Sequence, residues 1–169
     1  MYQALVGQMC KHLVQLEHWL DATVAYAESK KIDADRFLDF RLAPDQFALA
    51  RQIQITCDTA KLGASRICGK DAPVHADTEK TIAEIKTRVE DVRAYLAHFG
   101  AVDYDGAALR VITQPRWEGK TMTGADYFLE HVTPNFFFHL SHTYAILRHN
   151  GVPLGKRDFL GPLTMHAPA

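Results

Sequence analysis

Three of the nine histidines, His139, His142 and His149, fall in the run Pro134-Asn-Phe-Phe-Phe-His-Leu-Ser-His-Thr-Tyr-Ala-Ile-Leu-Arg-His-Asn-Gly151. Imidazoles can ligate a metal, move protons near neutral pH, or serve as hydrogen-bonded core groups. On a helix, Asn135, His139, His142, Ile146 and His149, separated by 4, 3, 4 and 3 residues, share one stripe. An inward stripe should be apolar, so its four polar groups mark either packed core polars or a site. A second polar strip, Gln54, Asp58 and Lys61, is spaced by 4 and 3 residues, with Arg51 and Gln52 nearby. It is either a solvated flank or a surface turned toward the histidines. In the second case Gln54, Asp58, Asn135 and His139 could hydrogen-bond together. An Asp58–His139 contact would then hold the imidazole charged or fix its tautomer.

Both strips need long helices to carry them. Leu5, Met9, Leu13, Leu16, Leu20 and Val24 recur every 3 or 4 residues, predicting helix one over Tyr2 to Lys30. Asp33 can start a short helix in the connection Lys31 to Asp45. Pro44 suits the first turn of helix two, which runs to Cys68 with Gly69 as its cap. Its inner stripe, Phe47, Ala50, Ile53, Cys57, Ala60, Ala64 and Ile67, is mostly small, so another helix can approach closely. Asp77 is the expected N-cap of helix three, whose seam is Ile82, Ile85, Val89, Val92, Leu96 and Phe99, with Gly100 as the stop. Arg110 to Thr113 and Lys120 to Thr123 alternate around a turn with Pro115 and Gly119, which predicts a small β-hairpin. Trp117 can pack that hairpin on the helices. Thr123 and Asp126 form a capping pattern for helix four, over about Ala125 to Asn150. Pro134 should kink this helix, and Asn150-Gly151 with Pro153 should end it. Val152 to Gly161 is apolar enough to fold back over the bundle, and Met165 to Ala169 should fray. The expected architecture is all-α: a single domain over residues 1–169, a four-helix bundle with a hairpin between helices three and four.

Composition excludes several function classes. The chain is 47% hydrophobic and 23% charged, as ordinary globular proteins are. A net charge of -1 gives no electrostatic reason to expect nucleic acid or an anionic membrane as partner. The N-terminal residues lack a basic stretch followed by an apolar one, and no run approaches the ~20 apolar residues that span a bilayer. A soluble, cytoplasmic protein is expected. Cys10, Cys57 and Cys68 show no metal-finger spacing. Cys57 and Cys68 share a helix face but lie about 16 Å apart along the axis, too far for a disulfide. Buried free thiols are expected. Ser65 and Ser141 lack a nucleophile-elbow context, and no glycine-rich phosphate loop is present. His149 reads as a cation on the helix C-terminal dipole.

The stretches Phe47…Arg51-Gln-Ile-Gln…Asp58-Thr-Ala-Lys61 and Pro134-Asn-Phe-Phe-Phe-His139 belong to a wider pattern, which continues with Ala145-Ile-Leu-Arg-His-Asn-Gly-Val-Pro-Leu-Gly-Lys156-Arg-Asp158-Phe-Leu-Gly161. Together they resemble an uncharacterised bacterial family grouped with the DinB/YfiT-like four-helix bundles. The resemblance covers essentially the whole chain, and Ile-Leu-Arg-His-Asn-Gly-Val-Pro-Leu-Gly is its most specific part. It implies an up-down-down-up bundle, frequent homodimers, and kinship with metal-dependent thiol transferases and hydrolase-like enzymes. Such relatives bind a divalent metal through one histidine of helix two and a His-x-x-x-His pair of helix four. This chain departs from that pattern: residues 44–69 contain no histidine, and His139 and His142 are three apart. A metal would need His139 and His142 with Asp58, or less well Gln54, as third ligand. Such a site would suit Zn, Ni, Mn or Fe(II). Two readings follow. One is a small-molecule pocket between helices two and four, lined by Gln54, Lys61 and Asn135, with a degenerate metal site. The other is a metal-dependent hydrolase or thiol transferase in which His139 and Asp58 are catalytic.

Overall fold

A computed structural model describes residues 1–167. Helix α1 spans Tyr2–Lys30, and Lys31 ends it in the left-handed region at φ 57°. A 3₁₀ helix, Ala34–Asp39, follows Asp33, whose side chain accepts from the Asp35 amide. Helix α2 is Leu49–Cys68, closed by Gly69. Its start lies beyond Pro44: the chain turns at residues 43–46 and Phe47 is exposed, because the helix begins only where Leu49 can enter the core. Helix α3 is Ile82–Leu96. Thr81, not Asp77, caps it, in a reciprocal box with Glu84. Strands Val111–Thr113 (β1) and Thr121–Thr123 (β2) pair antiparallel, with Ile112 opposite Met122.

The last bundle helix, α4, covers residues 124–149 in three pieces. Gly124–Asp126 is α-helical, Tyr127–Val132 forms a π-helical turn, and Thr133–His149 is α-helical again. Pro134 accounts for the wide turn. It has no N–H, and its ring would clash with the carbonyl four residues back, so the preceding turn opens instead. The Thr133 hydroxyl donates to the Phe128 carbonyl five residues back, at 2.9 Å. The bulge presses Val132 onto α2 at Gly63, where an added Cβ would sit 2.5 Å from Val132 Cγ1. Small residues on α2, Ala60 and Ala64 among them, give this close approach its room.

Contacts along the helices fix their directions. On α4, His139 faces Gln52 and Asn135 faces Thr59 of α2, so those two run antiparallel. Arg88 of α3 meets Asp58 of α2 while Tyr95 reaches Asp71 just beyond it, so α2 and α3 are parallel. On α1, His12 packs on Phe137 and Trp19 on Tyr144, making α1 and α4 parallel. The bundle is therefore up-down-down-up. One buried cluster from Val6 to Leu154 fills it. Gly151 (φ 94°) ends α4, and Val152 and Leu154 bury the returning chain. The short C-terminal helix Lys156–Leu160 then stacks Phe159 on Trp19 at 5.6 Å between centroids. Met165 is exposed, and Pro168 and Ala169 lie outside the described residues. Cys10, Cys57 and Cys68 are free thiols, and burial pushes Cys57 up to about 12.

Candidate functional site

Helix α2 carries polar side chains on two faces, and they meet different surroundings. Toward α3 and the loop before it lies a charge network. Arg88, with its side chain 1% exposed, donates to Asp58 (2.9 Å), Asp77 (2.6 Å) and Glu79 (2.9 Å). Lys61 is also buried; it reaches Asp58 at 2.9 Å and lies 2.7 Å from His75 Nδ1. Gln54 donates to Glu79 and accepts from Arg51, which in turn pairs with Asp77. Three cations thus face three carboxylates. Although burial opposes it, hydrogen bonds from Arg88 and Arg51 hold Asp77 below the usual carboxylate range, and Arg88 and Gln54 do so for Glu79. Asp77 is held at positive φ (56°), where a short polar side chain tolerates the left-handed backbone.

Toward α4 and the hairpin the same helix borders a cavity of about 360 Å³. Its α2 wall is Arg51, Ile55, Asp58, Thr59, Leu62 and Arg66. Opposite stand Tyr127, His131, Asn135 and His139 of α4, with Gln114 and Arg116 from the hairpin at one end. The π-helical turn sets this wall. At 3.6 residues per turn, four-residue steps drift by about 40° each and would carry Tyr127 off the His139 face. A turn of roughly 4.4 residues reverses one step of that drift, so 127, 131, 135 and 139 all line the cavity.

His139 is the most constrained group here. Its Nδ1 lies 2.7 Å from Gln52 Oε1, and the Gln52 amide nitrogen donates to the Phe47 carbonyl at 3.2 Å. That leaves Oε1 as acceptor and Nδ1 as the protonated nitrogen. Burial first, then His142 and Arg51, lower the ring's pKa to about 4. His139 is therefore neutral at pH 7, with Nε2 a free lone pair on a cavity-lining ring. Asn135 donates to Thr59 Oγ1 at 2.7 Å.

The expected network of Gln54, Asp58, Asn135 and His139 does not form. Asn135 and His139 find Thr59 and Gln52 instead, one residue beyond Asp58 and two before Gln54, and so on another face of α2. Gln54 and Lys61 belong to the α3-side network and do not line the cavity; Asp58 touches both regions. His142 leaves the stripe's inner side, with Nδ1 2.7 Å from the Phe138 carbonyl. His149 is exposed. Among the described residues, no three His, Cys, Asp or Glu side chains are grouped to hold a metal ion. Asp58, His139 and His142 therefore do not fit as a ligand set. Asp58 is taken up by two cations, and His142 turns to its own helix backbone.

Sequence reasoning named Gln52 only as a neighbour of the polar strip, and it missed Arg66, Gln114, Arg116, Tyr127 and His131 as site residues. Gln114 and Arg116 sit in a turn without periodicity. Tyr127 and His131 extend Asn135 and His139 at steps of four, a signal that reads as one face only once the turn is known to be wide.

Residues 1–160 match the family described as a domain of unknown function, DUF1993. The chain belongs to this family. A crystal structure of a DinB family member protein from Shewanella denitrificans is 46% identical, with a TM-score of 0.94, and the match covers 99% of this chain and 98% of that one. No curated protein matches. The DUF1993 chain is thus an uncharacterised DinB-like protein, and no helix among its described residues is long and apolar enough to cross a membrane.

Proposed function

We propose that this protein binds a small organic molecule in the cleft between α2 and α4, with His139 Nε2 as the central hydrogen-bond or proton acceptor. The observation that carries the reading is the Gln52–His139 pair. It fixes one tautomer, while burial keeps the imidazole neutral beside a cavity large enough for a metabolite. A screen of small polar metabolites by thermal shift, run on wild type and His139→Ala, tests it. Hits that depend on His139 are expected; hits that survive His139→Ala unchanged would place the ligand elsewhere.

The metal-dependent hydrolase or thiol transferase is a weaker reading: His139 and His142 are each held through Nδ1, as ligand histidines are, but among the described residues no third ligand side chain groups with them. Elemental analysis of untagged protein should find Zn, Ni, Mn and Fe well below one per chain. Stoichiometric metal would revive it. We also propose a homodimer in the cytoplasm, where three free thiols persist. The apolar groove formed by Val6, Val14, Ala94 and Phe99 between α1 and α3 suits a partner surface, and light scattering checks the mass.

A further inference from the structure

We infer that the hairpin end of the cavity is an oxyanion subsite, in which Arg66, Arg116 and the Gln114 amide hold a carboxylate or phosphate group of the ligand. This rests on the binding role proposed for the cleft and names the chemistry it selects.

Four observations meet at this end. Arg66 of α2 and Arg116 of the hairpin both line the cavity, and among the described residues neither has a carboxylate within ion-pair distance. Arg66 instead donates to the Tyr127 hydroxyl at 2.9 Å, and Arg116 lies 3.2 Å from His131 Nε2. Both partners are neutral acceptors, which orient a guanidinium and leave its charge uncompensated. The carboxylate that does line the cavity, Asp58, is engaged by Arg88 and Lys61 and is not available to them. Finally, Gln114 is only 7% exposed and lines the cavity; its Nε2 is buried without a protein acceptor, and turning the amide over, which exchanges its nitrogen and oxygen, would present that donor to the cavity. A buried amide N–H left without a partner is costly and normally avoided. Beside two unpaired guanidinium groups it wants an acceptor that carries negative charge, and forked donors match the two oxygens of a carboxylate or phosphate.

The rest of the cavity limits what is attached to that group. Leu62 and Ile55 offer an apolar wall, and His139 Nε2 stands at the far end as an acceptor. A short organic oxyanion with an apolar body and a distal hydrogen-bond donor fits this order. Full neutralisation would favour a phosphate; a planar carboxylate suits the fork and the amide equally.

The test titrates inorganic phosphate, 4-hydroxybenzoate and the neutral 4-hydroxybenzamide into the full chain at constant ionic strength, reading backbone amide shifts. Saturable shifts at Gln114, Arg116 and Tyr127 are expected with at least one anion, at least tenfold weaker with the benzamide. Which anion saturates first distinguishes phosphate from carboxylate. Arg116→Gln, at an exposed position, and Arg66→Gln should each weaken binding about tenfold or more, the effect of one lost charged hydrogen bond. Lys120→Gln removes the same charge outside the cavity and should leave binding unchanged. Equal losses in Lys120→Gln and Arg116→Gln would reduce the effect to bulk charge and overturn the subsite. Benzamide binding that needs His139, with neither anion binding better, would overturn the subsite and leave the cleft reading standing. No saturable shift with any probe at the cavity would count against both.

Discussion

The two polar faces of α2 contain similar side chains and end in opposite states. Toward α3, Arg88, Lys61 and Arg51 are matched by Asp58, Asp77 and Glu79, and the buried guanidinium touches all three carboxylates. Toward α4, Arg66 and Arg116 point at neutral partners and Gln114 keeps an unmatched N–H. Buried charge matched by opposite charge specifies which elements dock together, even though Arg88 Nε itself meets no acceptor; cationic groups left without a carboxylate at a cavity wall are poised for something that arrives from solution. The difference separates structural polarity from functional polarity within one helix.

The comparison breaks most visibly at Arg88. Arg88→Leu leaves three carboxylates clustered at the α2–α3 junction and should lower stability by about 3–5 kcal/mol, measured by urea unfolding. A cost below 1 kcal/mol would mean the network is not the joint described. His139→Ala should cost less, about 1–3 kcal/mol, since it leaves the buried Gln52 oxygen without its donor.

Acid should reach His139 before the α3-side carboxylates; His75 beside Lys61, its pKa also lowered by burial, shares the upper window. The folded pKa of His139, about 4, lies below its unfolded value near 6.5, so the unfolded chain binds the extra proton between them. That contribution is present above about 6.5 and is lost as pH falls toward 4, whereas Asp77 and Glu79, with lowered pKa values, give way only below the ordinary carboxylate range. Histidine NMR should show His139 neutral down to about pH 4, and Gln52→Glu, placing a carboxylate on Nδ1, should move that titration upward. A wild-type value near 6.5 would remove the neutral acceptor from the site. The smallest effect is expected at Arg116→Gln, within about 0.5 kcal/mol of wild type, because an exposed side chain held for a ligand adds little to the empty fold.

Much of the fold was legible in the sequence. The apolar spacing of α1 and α3, the Asp33 turn, the hairpin and the tail that folds back each follow from local chemistry, and the structure reproduces them. Boundaries slipped where a competing contact won. Asp77 has the right side chain for an N-cap but is drawn to Arg51 and Arg88, so Thr81 takes the role. The site was legible in place and not in pairing. His139 and Asn135 do face α2, yet whether they meet Gln52 and Thr59 or Gln54 and Asp58 depends on an antiparallel register that neither helix encodes alone. The most specific run of the chain, Ile146 to Gly155, proves structural: Asn150 and Gly151 close α4 while Val152 and Leu154 anchor the tail.

The wide turn at Tyr127–Val132 carries a consequence for how such a chain can vary. Side chains around it can be exchanged one at a time, but the number of residues cannot. Deleting one would let the helix regularise and swing everything before it by about 100° relative to α2. Tyr127 would then leave the cavity, the pairing with Arg66 would be lost, and the hairpin with Gln114 and Arg116 would be carried away from His139. Chain length through this turn, more than any single residue in it, is what holds the two ends of the cavity in one molecule.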